Sequence, residues 1–105
     1  MPSAQRGEVW MIDLGMAAKP RPCLVLSVEY RDDERAIVTY VPRTTSLRDT
    51  RFEVAHQARG FDAGGFDAQN IAGVPVVRLM RRMGVVDPSV LAQVESAVKA
   101  WLGLA

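Results

Sequence analysis

Two stretches of the chain gather residue types that suit a phosphodiester. Arg21 stands between Pro20 and Pro22 at the entrance of an apolar run. The proline-stiffened backbone there can hold a guanidinium in place at little entropic cost. After Pro42 come Arg43, Thr44, Thr45 and Ser46. Their cation, hydroxyls and backbone N–H groups are donors for phosphate oxygens where a strand ends. Other chemistries are thinly supplied. His56 is the only histidine and Cys23 the only cysteine, so neither a two-histidine nuclease site nor a Cys/His zinc site can form within one chain. No phosphate-binding glycine loop, nucleophile elbow or GxGxxG is present. Cys23, inside Cys23–Leu26, reads as a buried inert thiol. His56 ends an alternating stretch and reads as a rim residue.

The elements that must position these groups are mostly short strands. Glu8–Leu14 is apolar on both parities and predicts a strand buried on both faces. Gly15–Pro22 predicts a loop, and Cys23–Val28 a second core strand. Arg31–Arg35 is a charged turn. Ala36–Val41, rich in β-branched residues, is the strongest β signal, and Pro42 is expected to end it. Arg43–Thr50 reads as a loop, Arg51–His56 as a half-exposed strand, and Gly60–Gly65 as a flexible turn. Phe66–Val77 gives one or two short strands, and Arg78–Met83 a helical turn closed by Gly84. From Asp87 onward the pattern is helical. Asp87 is the N-cap, Pro88 takes N1, Gly103 is the stop, and Leu91, Val94, Val98, Trp101 and Leu102 form one apolar stripe. Strands followed by one amphipathic helix predict a mainly β fold with α, a small barrel with a C-terminal helix packed on it.

The 105 residues make one domain, 1–105, and its 49% hydrophobic content supports a single core without disulfides or metal. Thirteen Lys+Arg against twelve Asp+Glu leave a formal charge of +1, which excludes a polybasic tail but not a local basic patch. Of those cations only Lys19 and Lys99 are lysine, and the remaining eleven are arginine. Arginine suits phosphate recognition, although high-GC coding favours it equally. Without an apolar leader or a run of roughly 18–20 apolar residues, a cytoplasmic protein with no membrane association is expected.

Several segments together resemble the PemK/MazF toxins of bacterial toxin–antitoxin systems. The resemblance is carried by Arg6-Gly7-Glu8-Val9-Trp10 with Asp13-Leu14, and by Arg21-Pro22-Cys23-Leu24-Val25-Leu26-Ser27. Val41-Pro42-Arg43-Thr44-Thr45-Ser46, Arg51-Phe52-Glu53-Val54 and the final stretch Gly84–Leu104 continue it, in order, over nearly the whole chain. It implies an SH3-like small β-barrel, a two-fold homodimer and a ribosome-independent endoribonuclease that cuts single-stranded RNA at short sequence motifs, with no metal or other cofactor. A metal-free ribonuclease is expected to act by attack of the 2′-hydroxyl on the adjacent phosphorus. That chemistry needs a proton acceptor, a proton donor and positive charge on the phosphorane.

The resemblance implies that Arg21 and Thr44 are catalytic. Arg21 would clamp the non-bridging oxygens, since its pKa above 12 makes it a poor proton shuttle. Thr44 would donate to the same phosphate or orient the 2′-hydroxyl. Arg43, Thr45, Ser46 and Gln69 are candidates for RNA contacts, and Glu8 or Asp67 for the base. Two departures bear on the base. Gly15–Pro22 lacks the glutamate of better-known members, and in Phe66-Asp67-Ala68-Gln69-Asn70-Ile71 the acid is displaced by two positions. Expected partners are a cognate antitoxin, whose acidic tail would suit Arg43, Arg48, Arg51 and Arg81, and DNA only through that complex. Met11, Met80 and Met83 with Phe66 and Ile71 suit either a dimer interface or the core. The alternative reading is a non-catalytic SH3-like module that binds an antitoxin or nucleic acid without cutting. A metal-dependent hydrolase and a helix-turn-helix regulator fit poorly, while gyrase-directed toxins share the implied fold.

Overall fold

The computed structural model describes residues 3–15 and 19–104; positions 16–18, inside the expected Gly15–Pro22 loop, lie outside it. Seven strands form one curled antiparallel sheet: β1 (Glu8–Ile12), β2 (Arg21–Val25), β3 (Ile37–Thr44), β4 (Glu53–His56), β5 (Gly64–Asp67), β6 (Ala72–Pro75) and β7 (Leu79–Val85). Helix α1 spans Pro88–Leu102. The sheet order is β4-β5-β3-β2-β1-β7, with β6 added to β3. This is the mainly β class with a C-terminal amphipathic helix that the sequence predicts.

Alternation along the central strands divides the interior in two. Val9, Leu24 and Val41 face α1 and pack with Phe52, Val54, Phe66, Ala68, Val94 and Val98. Trp10, Cys23, Val25 and Tyr40 face the opposite way, with Ile12, Val38, Val76 and Leu79. Strands apolar on both parities are therefore covered on both faces. Phe66 and Ile71 belong to the first of these clusters, so core packing accounts for both.

Strand β3 is the spine. One edge pairs with β2 through Cys23↔Pro42, Leu24↔Val41 and Val25↔Tyr40. The other pairs first with β6, from Ile37 to Tyr40, and then with β5 at Arg43 and Thr44. Pro42 therefore does not end the strand. It falls in the gap between those two ladders and at the terminus of the β2 ladder, where a missing N–H is tolerated. Arg21 and Pro22 likewise belong to β2 rather than to a loop.

Two further expectations are corrected. Residues 79–85 form β7 instead of a helical turn; of the expected Arg78–Met83 only Arg78 is in a 3₁₀ turn, Val76–Arg78. The free edge of β1 needs a partner, and β7 supplies it with register shifts at Val9/Trp10 and Met11/Ile12. Gly64 and Gly65 are strand residues, not loop. A Cβ on Gly64 would lie 2.2 Å from the Thr44 carbonyl oxygen, and one on Gly65 2.4 Å from that of Val54. Glycine is needed there for close approach.

Helix α1 begins after Asp87 as expected, but the Asp87 side chain makes no capping bond; its carbonyl accepts from Val90 and Leu91. Gly103 closes it in the left-handed conformation at φ 71°. Val94, Ala97 and Val98 are buried, while Trp101, expected in the same stripe, is 43% exposed and meets Phe52 edge-on at 5.3 Å.

Candidate functional site

The β2–β3 register fixes the site. Continuing the antiparallel pairing of Cys23 with Pro42 two residues outward places Arg21 opposite Thr44. The β1–β2 ladder ends at Ile12↔Arg21, so the arginine stands at the mouth of the sheet. Arg21 is exposed. Its carbonyl accepts from the Cys23 thiol at 3.3 Å, tying its backbone to the buried strand.

Arg21, Thr44 and Ser46 lie between two clefts and line both. The first, about 420 Å³, is completed by Met11, Pro22, Arg43, Thr45, Phe61, Asp62 and Met83 among others. The second, about 330 Å³, adds Arg48, Thr50, Glu53, Asp67, Gln69 and Asn70. Thr44 Oγ1 accepts from the Ser46 N–H at 3.0 Å. That bond uses one lone pair and leaves the hydroxyl hydrogen for a ligand oxygen. The site thus holds an exposed cation, the hydroxyls of Thr44, Thr45 and Ser46, and the amides of Gln69 and Asn70 around two clefts each roomier than a single phosphate.

The carboxylates differ in placement. Asp67 faces the second cleft, and its oxygens accept from Gln69 N–H at 3.1 Å and from Asn70 Nδ2. Glu53 is there too, but the backbone N–H groups of Thr50 and Arg48 hold its carboxyl below the usual range. Asp62 lines the first cleft.

Glu8 is elsewhere. It sits four residues from Ile12 along β1, about 13 Å at ordinary strand rise. Its carboxylate is buried and accepts from Gln5 N at 2.7 Å, Trp10 Nε1 at 3.1 Å and Arg82 Nε at 2.6 Å. Burial pushes its pKa up, yet the bonds from Gln5, Trp10 and Arg82 outweigh burial and hold it below the usual range. This is a structural acid, lining neither cleft.

Arg43 is also not the solvated loop residue that its surroundings predict. It is 4% exposed, and its Nε donates to Nδ1 of His56 at 3.0 Å. His56 is itself buried rather than at the rim. The expected antitoxin groove therefore loses Arg43, while Arg48, Arg51 and Arg81 remain exposed. The Arg51 guanidinium lies 4.5 Å from the Phe52 ring centroid.

The structure brings Arg21, Thr44, Thr45 and Ser46 together, adds Asp67 and Gln69 on one side, and separates Glu8. Sequence reasoning missed Phe61, Asp62, Met11 and Met83 as cleft walls. For Phe61 and Asp62 the available signal was an aromatic–acid pair inside a glycine-rich connection. Among the described residues, no three His, Cys, Asp or Glu side chains converge as metal ligands would.

Comparison with known proteins gives a consistent result. The family model described as "PemK-like, MazF-like toxin of type II toxin-antitoxin system" matches residues 5–102. Endoribonuclease MazF9 of Mycobacterium tuberculosis is 30% identical over 114 residues, spanning 95% of this chain and 97% of its own. A solved endoribonuclease in complex with its cognate antitoxin, from Mycobacterial species, is 29% identical, with a TM-score of 0.84 over 97% of each chain. The MazE–MazF complex of Deinococcus radiodurans, 20% identical, shares the fold with a TM-score of 0.84 over all of both chains.

Proposed function

The chain belongs to the PemK-like, MazF-like toxins of type II toxin–antitoxin systems, and from that membership we propose that it is an endoribonuclease cutting single-stranded RNA between the two clefts. The observation that carries the proposal is the cross-strand placement of Arg21 and Thr44. RNA lies across that ridge, with the scissile phosphate against Arg21. The guanidinium clamps the non-bridging oxygens and stabilises the charge that develops on them. The Thr44 hydroxyl and the donors of Thr45 and Ser46 hold the same phosphate. The 2′-hydroxyl gives its proton to a base and attacks phosphorus, the P–O5′ bond breaks as the 5′-oxygen takes up a proton, and the products carry a 2′,3′-cyclic phosphate and a 5′-hydroxyl. Asp67 is the better-placed of the two expected bases, and Gln69 beside it is placed to contact a base or sugar. Charge stabilisation by Arg21 needs no metal ion.

A cognate antitoxin is the protein partner, as in the solved mycobacterial complex. Arg48, on the wall of the second cleft, with exposed Arg51, offers an acidic tail a path that overlaps the RNA site. Any DNA contact would come through that complex. A homodimer is supported by Met80 and Val85, 56% and 62% exposed on the edge strand β7. No helix among the described residues is long and apolar enough to cross a membrane, and the proposed RNA substrate implies a cytoplasmic site of action.

The test is to incubate the purified protein with a long mixed-sequence RNA, map the new 5′ ends and determine their chemistry. Ends at a shared short motif, bearing 5′-hydroxyl groups and formed equally in EDTA, are expected. Arg21→Ala should abolish cleavage while circular dichroism stays native; wild-type cutting by that variant would refute its role. RNA binding without any cyclic-phosphate end, even at high protein concentration, would favour the non-catalytic module.

A further inference from the structure

One buried cluster is not used by the chemistry above, yet it forms a wall of the site. Arg43 neighbours Thr44 on β3, but its guanidinium is folded into the protein. Nε donates to His56 Nδ1 at 3.0 Å and Nη2 donates to the His56 carbonyl at 2.7 Å. The guanidinium carbon lies 5.0 Å from the Phe61 ring centroid. The imidazole in turn meets Phe61 edge-on at 5.4 Å and Phe66 at 4.8 Å. Gly64 leaves room for this packing, because a Cβ there would come 3.1 Å from Arg43 Nη1. The ends of β3 and β4 and the connection carrying Phe61 and Asp62 are thus pinned through one side chain.

A cation beside a neutral imidazole is a poor way to stabilise a core, since neither charge nor dipole is repaid as fully as by apolar packing. What the arrangement does supply is a fixed position for Phe61 and Asp62 in the first cleft. We propose that Arg43 and His56 act together as positioning residues, holding the Phe61–Asp62 wall at the distance from Arg21 and Thr44 that seats the RNA. This rests on the RNA-cleavage reading.

A consequence concerns protonation. His56 Nδ1 accepts from Arg43, so the ring must be neutral with its proton on Nε2. The charged groups around it are Arg43 from β3, Asp87 from the start of α1, and Asp62, which faces Arg43 from the connecting segment. Burial first, then Arg43, pull the His56 pKa below its ordinary value, against a smaller opposing effect of Asp87. Protonation would remove the acceptor and set two cations side by side, releasing the wall.

The experiment has two arms. By NMR without RNA, the ring resonances of Phe61 should move together with the titration of His56 in the wild type. In His56→Asn, whose Oδ1 stands near the Nδ1 position and does not titrate, they should stay constant across the same acid range. In the second arm, His56→Ala should raise KM for RNA on the order of tenfold with kcat little altered. His56→Asn should restore KM and lack the rise of KM in acid that is expected of the wild type. Phe61 resonances indifferent to His56 titration, or an acid limb unchanged in His56→Asn, would overturn the proposal. The NMR arm needs no cleavage, so a protein that cuts no RNA would refute the functional reading and still decide this one.

Discussion

Two residues apart on β2, Arg21 and Cys23 have opposite fates. Arg21 reaches solvent at the sheet mouth, whereas Cys23 is fully buried and burial pushes its thiol up to about 12, with Arg21 pulling weakly the other way. The thiolate is the reactive form, so native protein at neutral pH should resist a thiol reagent, and urea-unfolded protein should react with one equivalent; rapid labelling of the native state would contradict the burial. Glu8 and Asp67 divide in the same manner. Glu8→Gln should lower stability by about 1–3 kcal/mol, because buried donors lose a charged acceptor, while cutting at the same RNA motif. For wild-type protein the sign follows from the lowered Glu8 pKa. Its contribution is complete above the ordinary carboxylate range and is lost as pH falls through the folded value. His56, also lowered, has the same sign: its contribution is complete above its ordinary value of about 6.5 and fades as pH falls through the folded one. Thermal melts of the wild type, Glu8→Gln and His56→Asn against pH separate the two.

Among the elements, β5 shows what local reading misses. Gly64-Gly65 carries every local sign of a turn, yet two backbones close on it and make it a strand. Gly65→Ala forces a Cβ against the Val54 carbonyl and should destabilise by about 1–3 kcal/mol in urea unfolding; an unchanged midpoint would mean that β4 and β5 are not so closely apposed. Residues 79–85 teach the same lesson. Arg81 and Arg82 sit among Met and Leu in a pattern that fits a helical turn, and only the unsatisfied edge of β1 selects the extended form. Helix α1 was legible because its signals are local: proline at N1, apolar spacing and a terminal glycine.

For the whole molecule the near-neutral balance matters less than where charge is exposed. Arg21 and Arg48 are exposed at the clefts while Arg43, on the wall of the first, is almost fully buried, so RNA affinity should fall with salt, each phosphate-contacting arginine contributing about 0.7 to the log–log slope for a single strand. Arg48→Ala should flatten that slope by about this amount, measured on a 2′-deoxy substrate analogue that binds without being cut. Sedimentation should give a dimer, weakened by Met80→Glu; a monomeric wild type would remove the assembly from the proposal.

The sequence by itself determined the mainly β class, the C-terminal helix and the inert cysteine, since each is written in local composition or spacing, and its resemblance to a family singled out Arg21 and Thr44 as the residues to propose. Tertiary structure alone decided which charged groups face the clefts. Arg43, Thr44 and Thr45 are consecutive, but β3 is buried from Tyr40 to Arg43 and ends at Thr44, so Arg43 is enclosed by the packing around His56 and Phe61 while Thr45 emerges past the strand end. Glu8 and Asp67 are both acids near motifs, and only the register of paired strands puts one in a cleft that Arg21 also lines and the other against Trp10 and Arg82. Distance across a sheet follows from hydrogen-bond register, which links residues far apart in sequence and leaves little trace in either segment alone.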